Sequence, residues 1–285
     1  GPPHSLHLIG LGLKKGLPVK WIADFRDPWT TIGYHKELKL SASAAKKHKE
    51  MEKEVLTSAD AVIVTSPTTK KEFEVLTDKP IAVITNGYDT EKIAEQPLDE
   101  KFTLAHIGSF LSERNPRILW KALSELIKEN ADFKKHFELK LIGAVSSEVL
   151  EAIKEFKLND YVNNLGYISH TKALEHQKRS QVLLLVEINS EDTKCIIPGK
   201  LFEYMVSERP IIGIGPDGAD FAEIIRTTNT GVCTTYFEKE KLKQALLDYF
   251  TEYQRGSLKS NAIGLQQYSR KNLTGQLVNV LKTVQ

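Results

Sequence analysis

The sequence predicts an α/β protein built from two lobes, each with a parallel sheet, and three observations lead to this prediction. Short apolar runs alternate with amphipathic helical stretches along almost the whole chain. Several of these runs are apolar on successive residues, as is typical of strands buried on both faces. The length of 285 residues exceeds the usual size of one domain, so about two domains are expected.

The apolar runs place the predicted strands in chain order. They lie at 19–24, 61–66, 81–85, 102–108, 137–143, 162–168, 181–186, 210–215 and 231–236. Helical spacing of apolar residues predicts helices at about 4–15, 44–57, 67–77, 115–129, 146–156, 170–179, 198–207, 219–226 and 238–252, followed by a last helix at 257–283. Because strands and helices alternate, parallel sheets with helices on both faces are favoured.

A polar segment near 89–100 contains a proline and no strand pattern, so we interpret it as a linker between the lobes. The predicted domains are a first lobe at 1–98, a second lobe at 99–256, and a C-terminal helix at 257–285 for which packing back on the first lobe is one option. The second lobe has six predicted strands, enough for a complete doubly wound, Rossmann-like sheet, whereas the first has only three. We therefore expect that this chain lacks the start of its first lobe.

Composition excludes several classes of protein. The net charge is +2 with acidic and basic residues interleaved, which argues against a large nucleic-acid surface. No apolar run approaches the roughly 20 residues of a membrane span. The two cysteines, Cys195 and Cys233, lie beside apolar residues and are predicted to be buried, reduced thiols of a cytoplasmic protein.

The loops after the predicted strands carry the polar residues from which a site could be built, since open α/β sheets bind ligands at the carboxyl ends of their strands. After the fourth strand, Gly108 permits close backbone approach, Ser109 offers a hydroxyl, and Arg114 offers a guanidinium suited to phosphate. After the sixth strand, Tyr167 and Ile168 could lie against a base or another ring.

A helix predicted to begin at Pro198, Gly199 and Lys200 would favour a phosphate through its free amides and its dipole. One turn further, Glu203 could accept two hydroxyls of a ribose. Each residue alone is explained as well by a solvated surface charge. The convergence of a lysine, an arginine and a glutamate on one predicted sheet edge favours a binding site.

Four segments resemble, in the same order, those of retaining glycosyltransferases of family 4. They are ADFRDPW at 23–29, ITNGYD at 84–89, HIGSFLSERNPRILWKAL at 106–123 and PGKLFEYMVSERPIIGIG at 198–215. The resemblance implies the GT-B fold, in which the second lobe holds a UDP-, GDP- or TDP-sugar and the first lobe holds a glycan or lipid-linked acceptor. It also implies metal-independent transfer with retained configuration, no cofactor, and a role in polysaccharide assembly.

Residue by residue, the resemblance implies that Glu203 binds the ribose hydroxyls and that Pro198, Gly199 and Lys200 lie near the diphosphate. It places Tyr167 and Ile168 near the base, and Gly108, Ser109 and Arg114 near the phosphates. The implied catalytic residues are Arg114, Lys200 and Glu203, the two cations stabilising the negative charge left on the β-phosphate.

The chain departs from the family pattern at two positions. The family has a second glutamate eight positions before the one at 203, where this chain has Cys195, and a thiol cannot accept hydrogen bonds as a carboxylate does. Glu191 or Asp192 in the same loop could take its place. Ser109 stands where the family often has an arginine.

The first lobe offers candidates for an acceptor site. His4 and His7 are three residues apart and could bind an acceptor hydroxyl or form a cleft wall, although capping or surface roles fit as well. No third ligand lies nearby, so no metal site is predicted. Asp24, Arg26 and Asp27 follow a strand and should face the cleft, but Asp24 and Arg26 could equally form a local ion pair.

The segment GIGPDG at 213–218, with Glu238 about 20 residues on, fits a dinucleotide-binding fingerprint. We do not expect NAD to bind, because only one further strand follows and Pro216 lacks the amide a phosphate cradle needs.

Two other functions stay open. One is a non-catalytic relative that binds nucleotide sugars, favoured by Cys195 and the short first lobe. The other is a GT-B-like epimerase of nucleotide sugars. Contact with the inner face of a membrane also stays open, because the stretch 44–56 is basic and amphipathic, although its glutamates favour an ordinary solvated face.

Overall fold

The structure is a computed structural model that describes residues 3–89 and 95–284, with Tyr34 described by its backbone alone. The chain forms two compact units. Unit 1 comprises Gly1–Asp89, Ser190–Gly199 and Gln266–Gln285, and unit 2 comprises Thr90–Asn189 and Lys200–Leu265.

Unit 1 has a three-stranded parallel sheet in the order β1-β2-β3, where the strands are Ile22–Phe25, Ala61–Val64 and Ile81–Val83. Its helices are α1 (Ser5–Gly16), α2 (Gly33–Glu37), α3 (Ala42–Ser58), α4 (Pro67–Glu74) and α12 (Arg270–Thr283). All four residues of β2 are buried, as expected for the central strand of a sheet covered on both faces. Ser66 caps α4 by accepting a hydrogen bond from the amide of Thr69 at 3.1 Å, and Pro67 occupies the first helical position.

The turn at Asn86–Gly87 fixes the C-terminal segment on unit 1. The amide of Tyr88 donates to the carbonyl of Tyr268 at 3.1 Å, and the amide of Arg270 donates to the carbonyl of Tyr88 at 3.0 Å. A Cβ at Gly87 would lie 2.3 Å from the carbonyl oxygen of Tyr268, so any side chain there would push the two segments apart. Leu273 on α12 then packs with Ile63 and Ile84 in a small apolar cluster.

Unit 2 has a six-stranded parallel sheet in the order β6-β5-β4-β7-β8-β9. Its strands are β4 (Phe102–Ile107), β5 (Phe137–Ile142), β6 (Val162–Gly166), β7 (Val182–Val186), β8 (Ile211–Gly215) and β9 (Gly231–Thr235). Its helices are α5 (Arg117–Glu129), α6 (Ala131–His136), α7 (Ser147–Glu155), α8 (His170–Arg179), α9 (Lys200–Met205), α10 (Asp220–Thr227) and α11 (Lys239–Gln254). The strand order reverses between β4 and β7, and the carboxyl ends of strands beside such a reversal form a crevice in which doubly wound sheets bind ligands.

The core of unit 2 explains why its sequence folds this way. The apolar residues of α5 recur at helical spacing, so that Leu119, Trp120 and Leu123 are fully buried against the sheet. Each such side chain contributes roughly 1.5–3 kcal/mol by leaving water. This core supports the strands whose ends carry the residues described below.

The predicted α/β fold class is confirmed, and every predicted strand overlaps an observed one. The prediction of one last helix at 257–283 is wrong in its first half, since α12 begins only at Arg270. The residues before α12 make backbone hydrogen bonds to other segments of unit 2 and not within a helix. The amide of Ser260 donates to the carbonyl of Glu208 at 3.0 Å, and the amide of Ile263 donates to the carbonyl of Thr228 at 2.8 Å. Among the described residues, no helix combines the length and the apolar character that crossing a membrane requires.

Candidate functional site

Three neighbouring strands of unit 2 end at glycines whose backbones adopt positive φ. The values are +116° at Gly108 after β4, +121° at Gly143 after β5 and +63° at Gly166 at the end of β6. The amide of Gly108 donates to the carbonyl of Ile142 and that of Gly143 to the carbonyl of Gly166, both at 2.7 Å. A Cβ at Gly143 would lie 2.5 Å from the carbonyl oxygen of Gly108, so the close approach of these turns requires glycine.

These turns form one wall of a cavity of about 320 Å³, within the usual range for small-ligand sites. The loop after β6, the helix α8 and the start of α9 complete it. Its lining residues are Ile107, Gly108, Ser109, Ile142, Gly143, Ala144, Tyr167, Ile168, His170, Ala173, Gln177, Lys200 and Glu203. The structure therefore brings together six of the residues predicted from sequence, namely Gly108, Ser109, Tyr167, Ile168, Lys200 and Glu203.

Lys200 is the first residue of α9, and its ammonium is fixed at the end of β4. Nζ lies 3.3 Å from the carbonyl oxygen of Ile107 and 3.3 Å from Nε2 of His106. Burial lowers the pKa of Lys200 to about 8, with repulsion by Arg114 acting in the same direction and attraction by Glu187 opposing it. Lys200 thus supplies a positive charge at pH 7 that can be lost near pH 8.

Tyr204 anchors α9 to the same strand. Its fully buried hydroxyl accepts a hydrogen bond from the amide of Ile107 at 2.9 Å and lies 3.2 Å from the carbonyl oxygen of that residue. Burial raises the pKa of Tyr204, so the hydroxyl stays protonated. This contact holds Lys200 and Glu203, one turn apart on the helix, at the cavity.

Glu203 is half-buried, and its Oε2 accepts a hydrogen bond from the side-chain amide of Gln177 at 3.2 Å. Gln177 is itself only 3% exposed. An ionised carboxylate has about four acceptor sites, so this bond orients the group and leaves acceptor capacity for a ligand hydroxyl.

Arg114 does not line the cavity. Its guanidinium pairs with the carboxylate of Glu187, with Nε donating to Oε1 at 3.2 Å and Nη2 donating to Oε2 at 3.4 Å. The Glu187 side chain is fully buried at the end of β7, and its Oε1 also accepts from the amide of Ile188 at 2.9 Å. The charge of Arg114 is therefore already balanced, and its predicted role at a phosphate stays a prediction.

Pro198, Gly199, Glu191 and Asp192 are likewise absent from the cavity lining. Glu191 is 87% exposed and pairs with Lys194 at 2.7 Å. Within unit 1, Asp192 pairs with Lys36 at 2.5 Å, and this contact holds the pKa of the Asp192 carboxyl below its usual value. Whether either acid replaces the carboxylate missing at Cys195 stays a prediction.

His4 and His7, the predicted acceptor residues, lie in the core of unit 1 and are only 9% and 8% exposed. The ring of His4 stacks on Trp29 at 5.4 Å and that of His7 stacks on Phe25 at 4.0 Å. Among the described residues, no hydrogen-bond partner reaches either nitrogen of His4 or Nε2 of His7. Burial lowers the pKa of each to about 4, so both are neutral at pH 7.

Asp24, Arg26 and Asp27 lie at the carboxyl end of β1. Arg26 forms the alternative that the sequence left open, an ion pair with Asp24 in which Nε donates to Oδ1 at 3.0 Å. It also donates to the side-chain carbonyl of Asn86 at 3.3 Å. Asp27 is partly buried, which raises the pKa of its carboxyl.

Two of the three glycines of GIGPDG, Gly213 and Gly215, have a packing explanation. A Cβ at Gly213 would lie 2.5 Å from Sγ of Cys233, and one at Gly215 would lie 2.6 Å from the ring of Phe221. The carboxylate of Glu238 accepts a hydrogen bond from the amide of Thr235 at 2.7 Å and so closes a turn. These residues are used by the fold of unit 2, and the interpretation that the motif is not a dinucleotide site stays a prediction.

Sequence reasoning missed three residues that contact predicted site residues: Gln177 lines the cavity and bonds to Glu203, His106 lies against Lys200, and Glu187 pairs with Arg114. His106 stood inside an apolar strand pattern, and Gln177 stood on a helix with no motif. Glu187 follows an apolar run that ends at the sheet edge used by the other site residues, so its position was a signal that could have found it. Within residues 3–89 and 95–284, no group of three or more His, Cys, Asp or Glu side chains is arranged to hold a metal ion.

Comparison with known proteins gives one family match. Residues 101–252 match the family described as glycosyl transferases group 1. No curated protein sequence matches the chain.

Solved structures with the same fold are numerous and distant in sequence. Sucrose-phosphate synthase from Thermosynechococcus elongatus is 16% identical, with 98% of this chain and 72% of that chain covered and a TM-score of 0.67. HepE from Anabaena, solved with UDP, is 12% identical, with 97% and 76% covered and a TM-score of 0.71. A glycosyltransferase from Rickettsia africae is 15% identical, with 100% and 74% covered and a TM-score of 0.66. At these identities the likeness is one of fold, and the two parallel-sheet lobes are those of GT-B glycosyltransferases.

Proposed function

The chain belongs to the glycosyl transferases group 1 family, and we propose that it transfers a sugar from a nucleoside diphosphate sugar to a glycan or lipid-linked acceptor. We further propose that the sugar keeps its anomeric configuration and that no metal ion takes part. The observation that carries the proposal is the placement of Lys200 and Glu203, one cation and one carboxylate, on the same cavity at the strand ends of unit 2.

The diphosphate is proposed to lie against Lys200 and the glycine turns. Only backbone and hydrogen atoms stand at Gly108 and Gly143, so phosphate oxygens can approach the chain closely there. The helix α9 has only six residues, so its dipole is a small contribution beside the full charge of Lys200. A charge-assisted contact to phosphate is about twice as strong as a neutral hydrogen bond.

The ribose is proposed to lie against Glu203, and the base against Ile168 and the exposed ring of Tyr167. A carboxylate oriented by Gln177 can accept hydrogen bonds from the two ribose hydroxyls. Tyr167 is 91% exposed, so its ring is free to contact a base. HepE was solved with UDP, which makes UDP the first nucleotide to test.

In the proposed reaction, the bond between the anomeric carbon and the β-phosphate oxygen breaks and its electron pair stays on that oxygen. The acceptor hydroxyl forms the new bond to the anomeric carbon from the same face and gives its proton to the departing phosphate. Lys200 stabilises the charge that develops on the diphosphate, and its fixed position means that little reorganisation is needed. This ammonium performs the part that a divalent cation has in metal-dependent sugar transfer.

The acceptor is proposed to be held by unit 1, where Asp24, Arg26 and Asp27 offer polar groups at the end of β1. A lipid-linked acceptor would bring the protein to the cytoplasmic face of a membrane. Transfer onto polysaccharide precursors is the process that this acceptor class suggests.

A panel of UDP-, GDP- and TDP-sugars tests the proposal, each incubated with and without glycan acceptors and with EDTA or Mg²⁺. We expect release of the nucleoside diphosphate that depends on acceptor and not on metal, and NMR should show the product anomer matching the donor. Interconversion of the donor sugars without transfer would support an epimerase. Tight nucleotide binding without any turnover would support a non-catalytic relative.

A further inference from the structure

His106 is a fully buried histidine on β4 that lies directly behind Lys200, a lining residue of the proposed phosphate site. Its ring stacks on Phe110 with the centroids 4.1 Å apart. Nδ1 lies 3.2 Å from the carbonyl oxygen of Leu184 on the neighbouring strand β7, and Nε2 lies 3.3 Å from Nζ of Lys200. The ring therefore connects the sheet to the ammonium that lines the cavity.

These contacts assign the protons of the ring. A carbonyl oxygen can only accept, and each ring nitrogen lies near one: Nδ1 is 3.2 Å from that of Leu184, and Nε2 is 3.4 Å from that of Ser109. A neutral ring has one N–H, and an N–H on Nε2 would face the hydrogens of the Lys200 ammonium. The hydrogen therefore belongs on Nδ1, where it donates to Leu184 at the shorter distance. Nε2 then has a lone pair, which accepts from the ammonium of Lys200. Burial holds the pKa of His106 well below its usual value, and the charge of Lys200 lowers it further, so the ring is neutral at pH 7.

Two of the three N–H donors of Lys200 are thereby engaged, one by His106 and one by the carbonyl of Ile107. At Gly108, a Cβ would come within 3.3 Å of Nζ, so the absence of a side chain there keeps the approach to the ammonium open. The third donor is left for a ligand in the cavity.

We propose that His106 is a positioning residue, which holds the Lys200 ammonium by a neutral acceptor so that its remaining N–H faces the diphosphate of a bound nucleotide. The inference rests on the proposed function and adds a residue that acts through Lys200 without touching the ligand. Removal of the acceptor lets the ammonium turn away and makes its charged form less stable.

Other charges around Lys200 are in place whether or not His106 is present. Arg114, in the turn after β4, repels the ammonium, and Glu187, at the end of β7, attracts it. Glu203 lines the same cavity from α9. The hydroxyl of Tyr236, after β9, donates to the backbone carbonyl of Glu187 at 3.0 Å and stays protonated, because burial raises its pKa.

Two substitutions separate the hydrogen bond of the His106 ring to Leu184 from its hydrogen bond to Lys200. In His106→Asn the short amide can replace Nδ1 and donate to Leu184, but it has no atom near Lys200. In His106→Gln the longer side chain can present its carbonyl oxygen near the place of Nε2. The readout is the dissociation constant for UDP, measured by titration calorimetry between pH 7 and pH 9.5, together with Lys200→Met.

For the unchanged protein we expect UDP binding to weaken about tenfold from pH 7 to pH 9, as Lys200 loses its proton around pH 8. His106→Asn should bind UDP roughly tenfold more weakly at pH 7, and its pH midpoint should move below 8. His106→Gln should restore most of the affinity and the midpoint. Lys200→Met should bind weakly and show no midpoint in this range.

The outcomes distinguish two failures. Unchanged UDP binding by Lys200→Met would overturn the proposed phosphate contact itself. Weak binding by Lys200→Met, combined with an unaltered affinity and midpoint in His106→Asn, would overturn the positioning role alone.

A measurement on the unchanged protein covers the case in which the Asn variant does not fold. ¹⁵N NMR of the ring at pH 7 should show a protonated Nδ1 and an unprotonated Nε2. A protonated Nε2 would overturn the inference.

Discussion

Arg114 and Glu187 form an ion pair in which Nη2 of Arg114 lies 3.1 Å from Oε1 of Glu187. The carboxylate is fully buried, whereas the guanidinium remains one quarter exposed. The two residues are far apart in sequence and meet because the turn after β4 lies beside the end of β7. Removing one partner of such a pair leaves an uncompensated charge, whereas removing both does not.

We therefore predict that Arg114→Met destabilises unit 2 by roughly 2–4 kcal/mol and that adding Glu187→Gln to it restores part of the loss. Urea unfolding of the two single variants and the double variant measures this coupling. The same Arg114→Met variant should lose less affinity for UDP than Lys200→Met, since the charge of Arg114 is balanced in the structure. An Arg114→Met variant as stable as the unchanged protein would contradict the structural role of the ion pair.

Glu203→Ala should weaken binding of UDP and leave binding of pyrophosphate unchanged, because the carboxylate is proposed to contact the ribose. Loss of a hydrogen bond to a charged group is worth roughly 1.5–3 kcal/mol, which corresponds to a change of about 10- to 150-fold in the dissociation constant. Calorimetric titration with both ligands separates the effects. Glu223→Ala serves as the control, since that side chain is exposed and pairs with Arg226 on α10. Equal weakening of UDP binding and pyrophosphate binding would show that Glu203 does not contact the ribose.

Gly143→Ala should destabilise unit 2 by more than about 2 kcal/mol, because its Cβ would lie 2.5 Å from the backbone of Gly108 in a region of φ that L residues avoid. Gly166→Ala is the matched control, since it also has positive φ but no atom within 4 Å of the added carbon. Its cost should be about 1 kcal/mol. Chemical denaturation of the two variants gives the comparison, and equal losses would show that the contact between the two turns is not tight.

The buried histidines of unit 1 should make it sensitive to acid. His7 has a pKa of about 4 in the folded chain and 6.5 as its ordinary value, so the unfolded chain binds more protons in this window. Stability therefore falls as the pH falls from about 6.5 towards 4. We predict that His7→Phe reduces the loss between pH 7 and pH 5 by roughly 1–2 kcal/mol.

Hydrogen exchange of the β2 amides at the two pH values, corrected for intrinsic rates, measures the acid effect in unit 1. Lys241→Met, an exposed change in unit 2, is the control. An identical pH dependence in His7→Phe and the unchanged protein would contradict the assignment.

Lys200, the cation proposed to bind phosphate, should lower the free energy of unfolding of the protein at pH 7. The pKa of Lys200 in the folded chain is about 8, below its ordinary 10.5, so stability rises with pH between these values. Lys200→Met should consequently gain on the order of 1–3 kcal/mol at pH 7, and the gain should shrink towards pH 10. Thermal unfolding at both pH values checks this, and a loss of stability at pH 7 would show that Lys200 is a structural residue.

Much of this architecture follows from local sequence patterns. The buried strands were visible as apolar runs, and Lys200 and Glu203 were visible because they open a helix after such a run. The conformation of the segment 257–264 was not visible in the sequence. Its backbone amides bond to Glu208 and Thr228, which come near only in the folded chain. For the same reason the sequence did not predict the ion pair between Arg114 and Glu187, and the phosphate role of Arg114 stays a prediction.

His106 is a second residue whose role could not be predicted from local sequence. A histidine within an apolar strand pattern has no local signal for function, and its meaning depends on Leu184 and Lys200, which are distant in sequence. His4 and His7 were predicted as acceptor or cleft residues, with a capping or surface role as the alternative. The structure buries both in unit 1, His7 on α1 and His4 at the position just before it.

A crystal structure with UDP soaked into the protein at pH 7 tests the central claim most directly. The account predicts a phosphate oxygen about 3 Å from Nζ of Lys200 and the ribose hydroxyls on the carboxylate of Glu203. Density for UDP at any other place, or a Glu203 side chain turned towards solvent with the ribose bound, would contradict it.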